Sequence, residues 1–197
     1  MKPFSQACEN NKTSILNEVS SYLAVCKDVL EIGSGTGQHA VFFAENMPAL
    51  AWHTSDRIEN HTGIIEWIDE SQLSNVELPI ELDVVSYEWP TCCFDGVFTA
   101  NTCHIMHWHE VVSMFEGVSL ILSSGGHFMI YGPFNYNNDY TSDSNRRFDN
   151  MLRERDPGSG LRDFESLESL AKNNSFSLLK DVAMPANNRL LIFKSIM

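Results

Sequence analysis

No run of roughly 18 or more consecutive apolar residues occurs in the 197-residue chain, so nothing in it reads as a membrane-spanning helix. The first residues, Met1-Lys2-Pro3-Phe4-Ser5-Gln6, lack the apolar centre of a secretory leader, and a cytoplasmic protein is the expectation. Positive charge is scarce: 13 Lys and Arg stand against 26 Asp and Glu, for a formal net charge of −13. Such a surface repels phosphate backbones, so nucleic acid is not expected as a partner. The main concentration of arginine, Arg146, Arg147, Arg153 and Arg155, is interleaved with Asp143, Asp149, Glu154 and Asp156. Cysteines are few and odd in number, five in all, without the spacing of a disulfide framework, and read as free thiols of a reducing compartment. Vicinal Cys92-Cys93 makes a poor redox pair, because neighbours in sequence rarely meet disulfide geometry. His104, His107 and His109 invite a metal reading, but no convincing third ligand or cysteine pair at zinc spacing accompanies them, and no metal is expected.

Two nucleotide-binding signatures are missing as well. The chain has no G-x-x-x-x-G-K-[ST] string, which excludes a P-loop, and no G-x-G-x-x-G dinucleotide fingerprint. What it has is Val29-Leu30-Glu31-Ile32-Gly33-Ser34-Gly35-Thr36-Gly37-Gln38-His39. An apolar run ends in glycines at every second position, and Ala40, Val41, Phe42, Phe43 and Ala44 follow with the spacing of a helix. That order predicts a buried strand, a tight turn and a helix start. Glycine suits such a turn because it reaches positive φ and lets a ligand approach the backbone. The unpaired N–H groups of the helix start favour negative charge.

Strand and helix patterns alternate along the whole chain, without a composition break, which predicts one α/β domain over 1–197. Helices are expected near 12–24, 38–46, 58–72, 111–122, 145–154 and 163–173. Strands are expected at 28–32, 50–55, 79–82, 94–100 and 127–131. Phe176 to Ala183 and Arg189 to Ile196, separated by Met184-Pro185-Ala186-Asn187-Asn188, predict a closing antiparallel pair. Asp56 follows the second strand, roughly 20 residues beyond the glycine turn, the distance at which an acid reaches ribose hydroxyls in nucleotide-binding βαβ units. Asp83 follows the third strand and Asn101-Thr102 the fourth.

Glu31, Gly33, Gly35 and Gly37 resemble motif I of the class I S-adenosylmethionine-dependent methyltransferases, an acid and a spacer followed by G-x-G-x-G. Asp56, Asp83 and Asn101-Thr102 stand where that superfamily places its other ligand contacts. The resemblance implies a Rossmann-like sheet, mostly parallel with an antiparallel last strand and helices on both faces. It implies S-adenosylmethionine as cofactor, with Asp56 on the ribose and Asp83 at the adenine amine. It also implies that Val84 lies near the ring and Asn101 and Thr102 near the methionine end. Ser34 in the turn and Arg57 beside Asp56 join this expected binding set. Asn10-Asn11-Lys12, Tyr131-Gly132-Pro133-Phe134, Arg155-Asp156-Pro157, Gly160-Leu161-Arg162-Asp163 and 184–188 resemble a branch of methyltransferase-like proteins of unassigned substrate, found in bacteria and animals. The N-terminal Ser5-Gln6-Ala7-Cys8-Glu9-Asn10-Asn11 departs from that branch's arginine-bearing lead.

Methyl transfer to a small molecule or a protein side chain is therefore the leading expectation, with His104, Tyr131 and Asn135 facing the acceptor. A cofactor-binding scaffold without catalysis is the alternative. A nicotinamide-dependent oxidoreductase ranks lower, since the glycine spacing is wrong and no Tyr-x-x-x-Lys pair is present. Residues 132–162 form a connection far longer than the median and are expected to act as a lid, mobile without substrate because little apolar surface anchors it. Its arginines and Arg162 either meet an acidic acceptor or pair with Asp149 and Asp156. Oligomeric state is not legible.

Overall fold

The computed structural model describes residues 2–86 and 88–196. Seven strands form one sheet: β1 (Asp28–Ile32), β2 (Ala51–Asp56), β3 (Val76–Glu81), β4 (Phe94–Ala100), β5 (Leu122–Gly132), β8 (Phe176–Met184) and β9 (Asn188–Ser195). Their order is β3-β2-β1-β4-β5-β9-β8; β1 to β5 pair in parallel, while β9 runs antiparallel to both β5 and β8. The two remaining strands, β6 (Phe134–Asn135) and β7 (Arg162–Asp163), pair in parallel as a separate ribbon.

Alternation along the central strands divides the core into two layers. Leu30, Val97, Phe128, Ile130, Leu191 and Phe193 face α4 (Trp108–Ile121) and α6 (Phe164–Asn173). Val29, Phe98, Met129, Leu190 and Ile192 face α1 (Gln6–Leu23), α2 (Gln38–Asn46) and α3 (His61–Ser71). Such two-sided burial explains why these strands are nearly continuous apolar runs. Phe115 of α4 is fully buried against the rings of Phe128, Phe176 and Phe193 at 5.1, 6.3 and 6.1 Å, which fixes that helix on its face.

Chain direction across the sheet reverses between β1 and β4, so the loops leaving these two strands flank the crevice where open α/β sheets take ligands. The glycine turn leaves β1 and Asn101-Thr102 leaves β4.

Several boundaries differ from the sequence expectation. Helix α1 starts at Gln6, because the Ser5 hydroxyl caps it by accepting from the Cys8 N–H (3.4 Å). Asn10-Asn11-Lys12 thus lie inside the helix, and Asn11 is buried with its Oδ1 2.7 Å from His39 Nε2 of α2. Strand β3 begins at Val76, and β5 begins at Leu122, with an irregularity in its pairing between Phe94 and Gly96 that absorbs the Gly125-Gly126 pair. The fifth helix, α5, runs Asp143–Arg155 behind a Ser142 cap.

Candidate functional site

The turn after β1 is pinned to β2 by its backbone: the N–H groups of Gly33 and Ser34 both donate to the Ser55 carbonyl, at 3.0 and 2.9 Å. Ser34 Oγ accepts from the Ser55 N–H at 3.2 Å. Gly33 has φ +71°, and a Cβ there would stand 2.7 Å from Thr102 Cγ2. Gly37 has φ +87° and lets α2 approach the Ile64 and Trp67 backbone region of α3, where a Cβ would come within 3.3 Å. At Gly35, by contrast, a Cβ would meet nothing nearer than the Gly33 carbonyl oxygen at 4.0 Å. The turn is therefore tightly packed underneath and open above Gly35.

Asp56 sits at the end of β2, 8% exposed, and its carboxylate organises the neighbouring turn. Oδ2 accepts from the Gly35 N–H (2.7 Å), while Oδ1 accepts from the Arg57 N–H and the Asn60 amide (both 2.8 Å). The Arg57 side chain points away to Glu59 (3.2 Å) and is exposed. Beside Asp56, the Leu82 N–H donates to its carbonyl (3.0 Å), which brings the loop after β3 against the same edge. In that loop Asp83 is exposed and accepts from the Val85 N–H (3.2 Å), while Val84 is buried.

Glu31 lies beneath the turn, 1% exposed, accepting from Trp52 Nε1 at 3.2 Å. Burial pushes its carboxyl from the ordinary 4.5 up to about 7, against the hydrogen bonds from Trp52 and Ser34, and the charge of Asp56 adds to the rise. Between those two values the folded protein holds a proton that the unfolded chain has released. The contribution of Glu31 to stability is thus fully present below pH 4.5 and is lost as pH rises from there through 7, by on the order of 3 kcal/mol. Glu31→Gln should raise the melting temperature at pH 8 and match the wild type near pH 4.5; an equal difference at both pH values would refute this. That comparison is a pair of thermal melts at each pH.

Asn101 and Thr102 face opposite ways. Thr102 touches the glycine turn through Cγ2, and its hydroxyl lies 2.6 Å from that of Thr99, which donates to the Ile32 carbonyl (2.8 Å). Asn101, at φ +60° and with its N–H on the Tyr131 carbonyl (2.8 Å), lines a cavity of about 350 Å³. Polar walls come from Asn101, Ser144, Asn145, Asn187 and Asn188; Pro133, Phe148 and Ala186 supply apolar surface. His104 is buried with its ring 5.2 Å from Phe148, edge to face, and burial followed by the Arg162 charge lowers its pKa to about 4. Its imidazole is consequently neutral at neutral pH.

Of the other expected acceptor-side residues, Tyr131 is 3% exposed and packs in the α1–α3 layer, with its hydroxyl bonded to Asn11 and Asn188. It reaches the cavity through Asn188. Asn135 lies on β6, and its Oδ1 is buried without a hydrogen-bond partner among the described residues. His107 meets Asp156 at 2.9 Å, with the His109 ring 5.8 Å from it. Among the described residues no group of three His, Cys, Asp or Glu is placed to hold a metal.

The 132–162 segment supplies part of the cavity wall, mainly through α5, and two of its arginines serve the fold. Arg162 is 9% exposed and donates to the carbonyls of Cys103 (3.0 Å), Met106 and Gly158 (2.9 Å), tying the loop after β4 to the segment's end. Arg153 pairs with buried Asp149 (2.8 Å), which also accepts from the Tyr140 hydroxyl and the Leu161 N–H (both 2.7 Å). Asp156 takes His107 instead of an arginine. The expectation of a poorly anchored start is also corrected: Tyr136 stacks on Phe164 at 5.1 Å and donates to Asp181 (2.8 Å). Arg162→Ala should cost about 2 kcal/mol and speed amide exchange at Gly160 and Leu161; unchanged protection there would contradict the tie.

Two features escaped the sequence reading. The start of α1 straps the turn region, since the Gln38 side chain accepts from the Ser5 N–H (2.5 Å) and donates to Glu9 (2.7 Å). Ahead of it, Pro3 packs on Gly63 and accepts from Trp67 Nε1 (2.7 Å). The cavity's asparagines were the other: Asn145 and Asn187 sit 42 positions apart, and a spacing of that kind carries no local signal.

Strand order, glycine turn and flanking acid together define a class I methyltransferase fold. The chain belongs to the family whose model, described as "Protein of unknown function (DUF938)", matches residues 2–195. Solved structures share the fold at low identity. An O-methyltransferase family protein from Burkholderia thailandensis superposes with TM-score 0.85 at 14% identity, over 96% of this chain and 57% of that one. Human N-acetylserotonin methyltransferase, in complex with S-adenosylmethionine, gives 0.79 at 14%, over 98% and 53%. The calicheamicin-biosynthesis methyltransferase CalO1, bound to S-adenosylhomocysteine, gives 0.79 at 14%, over 96% and 54%. The chain spans little more than half the length of these structures.

Proposed function

We propose that the protein transfers a methyl group from S-adenosylmethionine to a small acceptor held in the cavity between β4 and α5. The observation that carries this reading is the juxtaposition at the end of β4, where Thr102 abuts the glycine turn and its neighbour Asn101 lines the cavity. A donor seated on the turn and an acceptor in the cavity would thus be separated by one loop, and bringing two reactants together in this way supplies most of the catalysis of a displacement.

The residues fit the donor. Open space above Gly35 admits its methionine end, and the N-terminus of α2 favours the carboxylate. Three of roughly four acceptor directions on the Asp56 carboxylate are used by the protein, which aims the remaining one at a ribose hydroxyl. Val84 and Asp83 stand at the adenine edge. Glu31, beneath the turn, balances the positive charge of the donor, whose approach favours the carboxylate form. When bound, S-adenosylmethionine supplies an electrophilic methyl group on a sulfonium. On the acceptor side, Asn101 orients the nucleophile, Tyr131 positions Asn188, and His104 backs the wall through its contact with Phe148.

Calorimetric titration with S-adenosylhomocysteine tests the reading. Saturable one-site binding is expected, and no heat at millimolar ligand would refute it. Transfer of label from methyl-tritiated S-adenosylmethionine to a deproteinised cell extract separates an enzyme from a binding scaffold.

A further inference from the structure

The cavity has an unusual wall for so acidic a protein. Its lining holds four asparagines and one serine, and no acidic or basic side chain. Several charged groups on the surrounding elements are committed to partners of their own. Arg162 is spent on three carbonyls, Arg153 on Asp149, Arg189 on Asp181 at 2.8 Å, and Asp143 on Arg146 at 3.6 Å. A charged ligand moved into such a wall would lose its hydration without gaining a counter-charge.

Hydrogen-bond bookkeeping narrows the chemistry further. Asn145 is 4% exposed, and its amide N–H groups both go to the protein, one to Thr141 Oγ1 (2.9 Å) and one to the Asn187 carbonyl (3.1 Å). Its carbonyl oxygen is what it has left to offer. Asn188 likewise donates to the Pro185 carbonyl (3.1 Å) and holds the Tyr131 hydroxyl. Asn187 donates to Ser144 Oγ (3.0 Å). Asn145 thus spends both of its amide donors on the protein and keeps its carbonyl oxygen as an acceptor in the cavity wall. That turn is strained: Ala186 and Asn187 both have φ +58°, and Asn101 across the cavity has φ +60°. Three non-glycine residues in the left-handed region around one cavity are a concentration found where side chains are held for a ligand.

From this we infer that the acceptor is an uncharged small molecule that donates a hydrogen bond, through a hydroxyl or amide N–H group, to the carbonyl oxygen of Asn145. Its apolar face rests on Phe148 and Pro133. Carboxylates, phosphate esters and ammonium compounds are excluded by the same wall. The inference rests on the methyl-transfer reading and specifies its substrate class. A lone pair on an oxygen or nitrogen of the acceptor forms the bond to the methyl carbon. The carbon–sulfur bond breaks with its electrons onto sulfur, giving S-adenosylhomocysteine, and the acceptor's proton passes to water.

The test uses the full-length protein, methyl-tritiated S-adenosylmethionine and a deproteinised cell extract split by ion exchange at pH 7 into uncharged, cationic and anionic fractions. At least about tenfold more label should enter the uncharged fraction than either charged one. Label concentrated in the anionic or the cationic fraction would overturn the inference. So would label in none of them when S-adenosylhomocysteine binds, because the acceptor would then not be a small molecule. Failure of S-adenosylhomocysteine to bind would instead defeat the methyl-transfer reading itself. Asn145→Leu, similar in size but without the amide, should lower transfer about tenfold with cofactor-product affinity unchanged. An equal loss of both would mean that Asn145 only supports the fold, and the fraction assay on the wild type stands independently of it.

Discussion

Gly33→Ala is expected to lower the melting temperature by roughly 10 °C, the equivalent of ~3 kcal/mol in a chain of this size. Two costs add. At φ +71° any side chain sits in the left-handed region, at about 1–2 kcal/mol, and the new Cβ would stand 2.7 Å from Thr102 Cγ2, an overpacking worth a similar amount. The costs can be separated. Thr102→Ser removes the clashing methyl and keeps the hydroxyl that meets Thr99 at 2.6 Å. The double variant should therefore recover about half of the loss, so that the two substitutions are non-additive by ~1 kcal/mol or more. Additive losses in thermal melts of the four proteins would mean that the turn and the β4 loop do not touch as described.

Asp56→Ala should weaken S-adenosylhomocysteine binding about a hundredfold, or ~3 kcal/mol, as calorimetry would show. The carboxylate is a charge-assisted acceptor for the ribose and also holds the Gly35 N–H at 2.7 Å, so its loss loosens both ligand and turn. Asp56→Asn separates the two effects: it keeps a neutral acceptor and should retain an intermediate affinity. Glu59→Ala, removing an exposed partner of Arg57, should leave affinity unchanged. Wild-type affinity in Asp56→Ala would sink the ribose assignment.

Local chemistry made the first half of the molecule readable. Val29 to His39 announces strand, turn and helix because burial on two faces, positive φ and helical spacing each leave a mark on neighbouring residues. Asp56 and Asn101-Thr102 followed from strand ends, and the structure brings them to one crevice because the strand order reverses there. Other features depend on contacts between distant residues. The start of α1 is polar, and its five residues before Asn11 show no apolar stripe; only the Ser5 cap and its bond to Gln38 reveal it. Leu122 reads as the end of a helix and Gly125-Gly126 as a break, because glycine usually punctuates, yet pairing with β4 draws 122–126 into β5. Strands β6 and β7 are two residues each, too short for any period. The arginines near 146–162 left two readings open, an acidic acceptor or pairing with Asp149 and Asp156, whereas Arg162 faces three backbone carbonyls that no sequence pattern marks. The cavity itself joins β4, α5 and the 185–188 turn, and its amide wall became visible only when these came together.

A crystal structure of the complex with S-adenosylhomocysteine tests the central claim most directly. The account predicts a ribose hydroxyl on the Asp56 carboxylate, the adenine beside Val84, and the sulfur directed past Asn101 into the asparagine-lined cavity. A ligand bound away from the glycine turn, or a sulfur sealed off from that cavity, would contradict it.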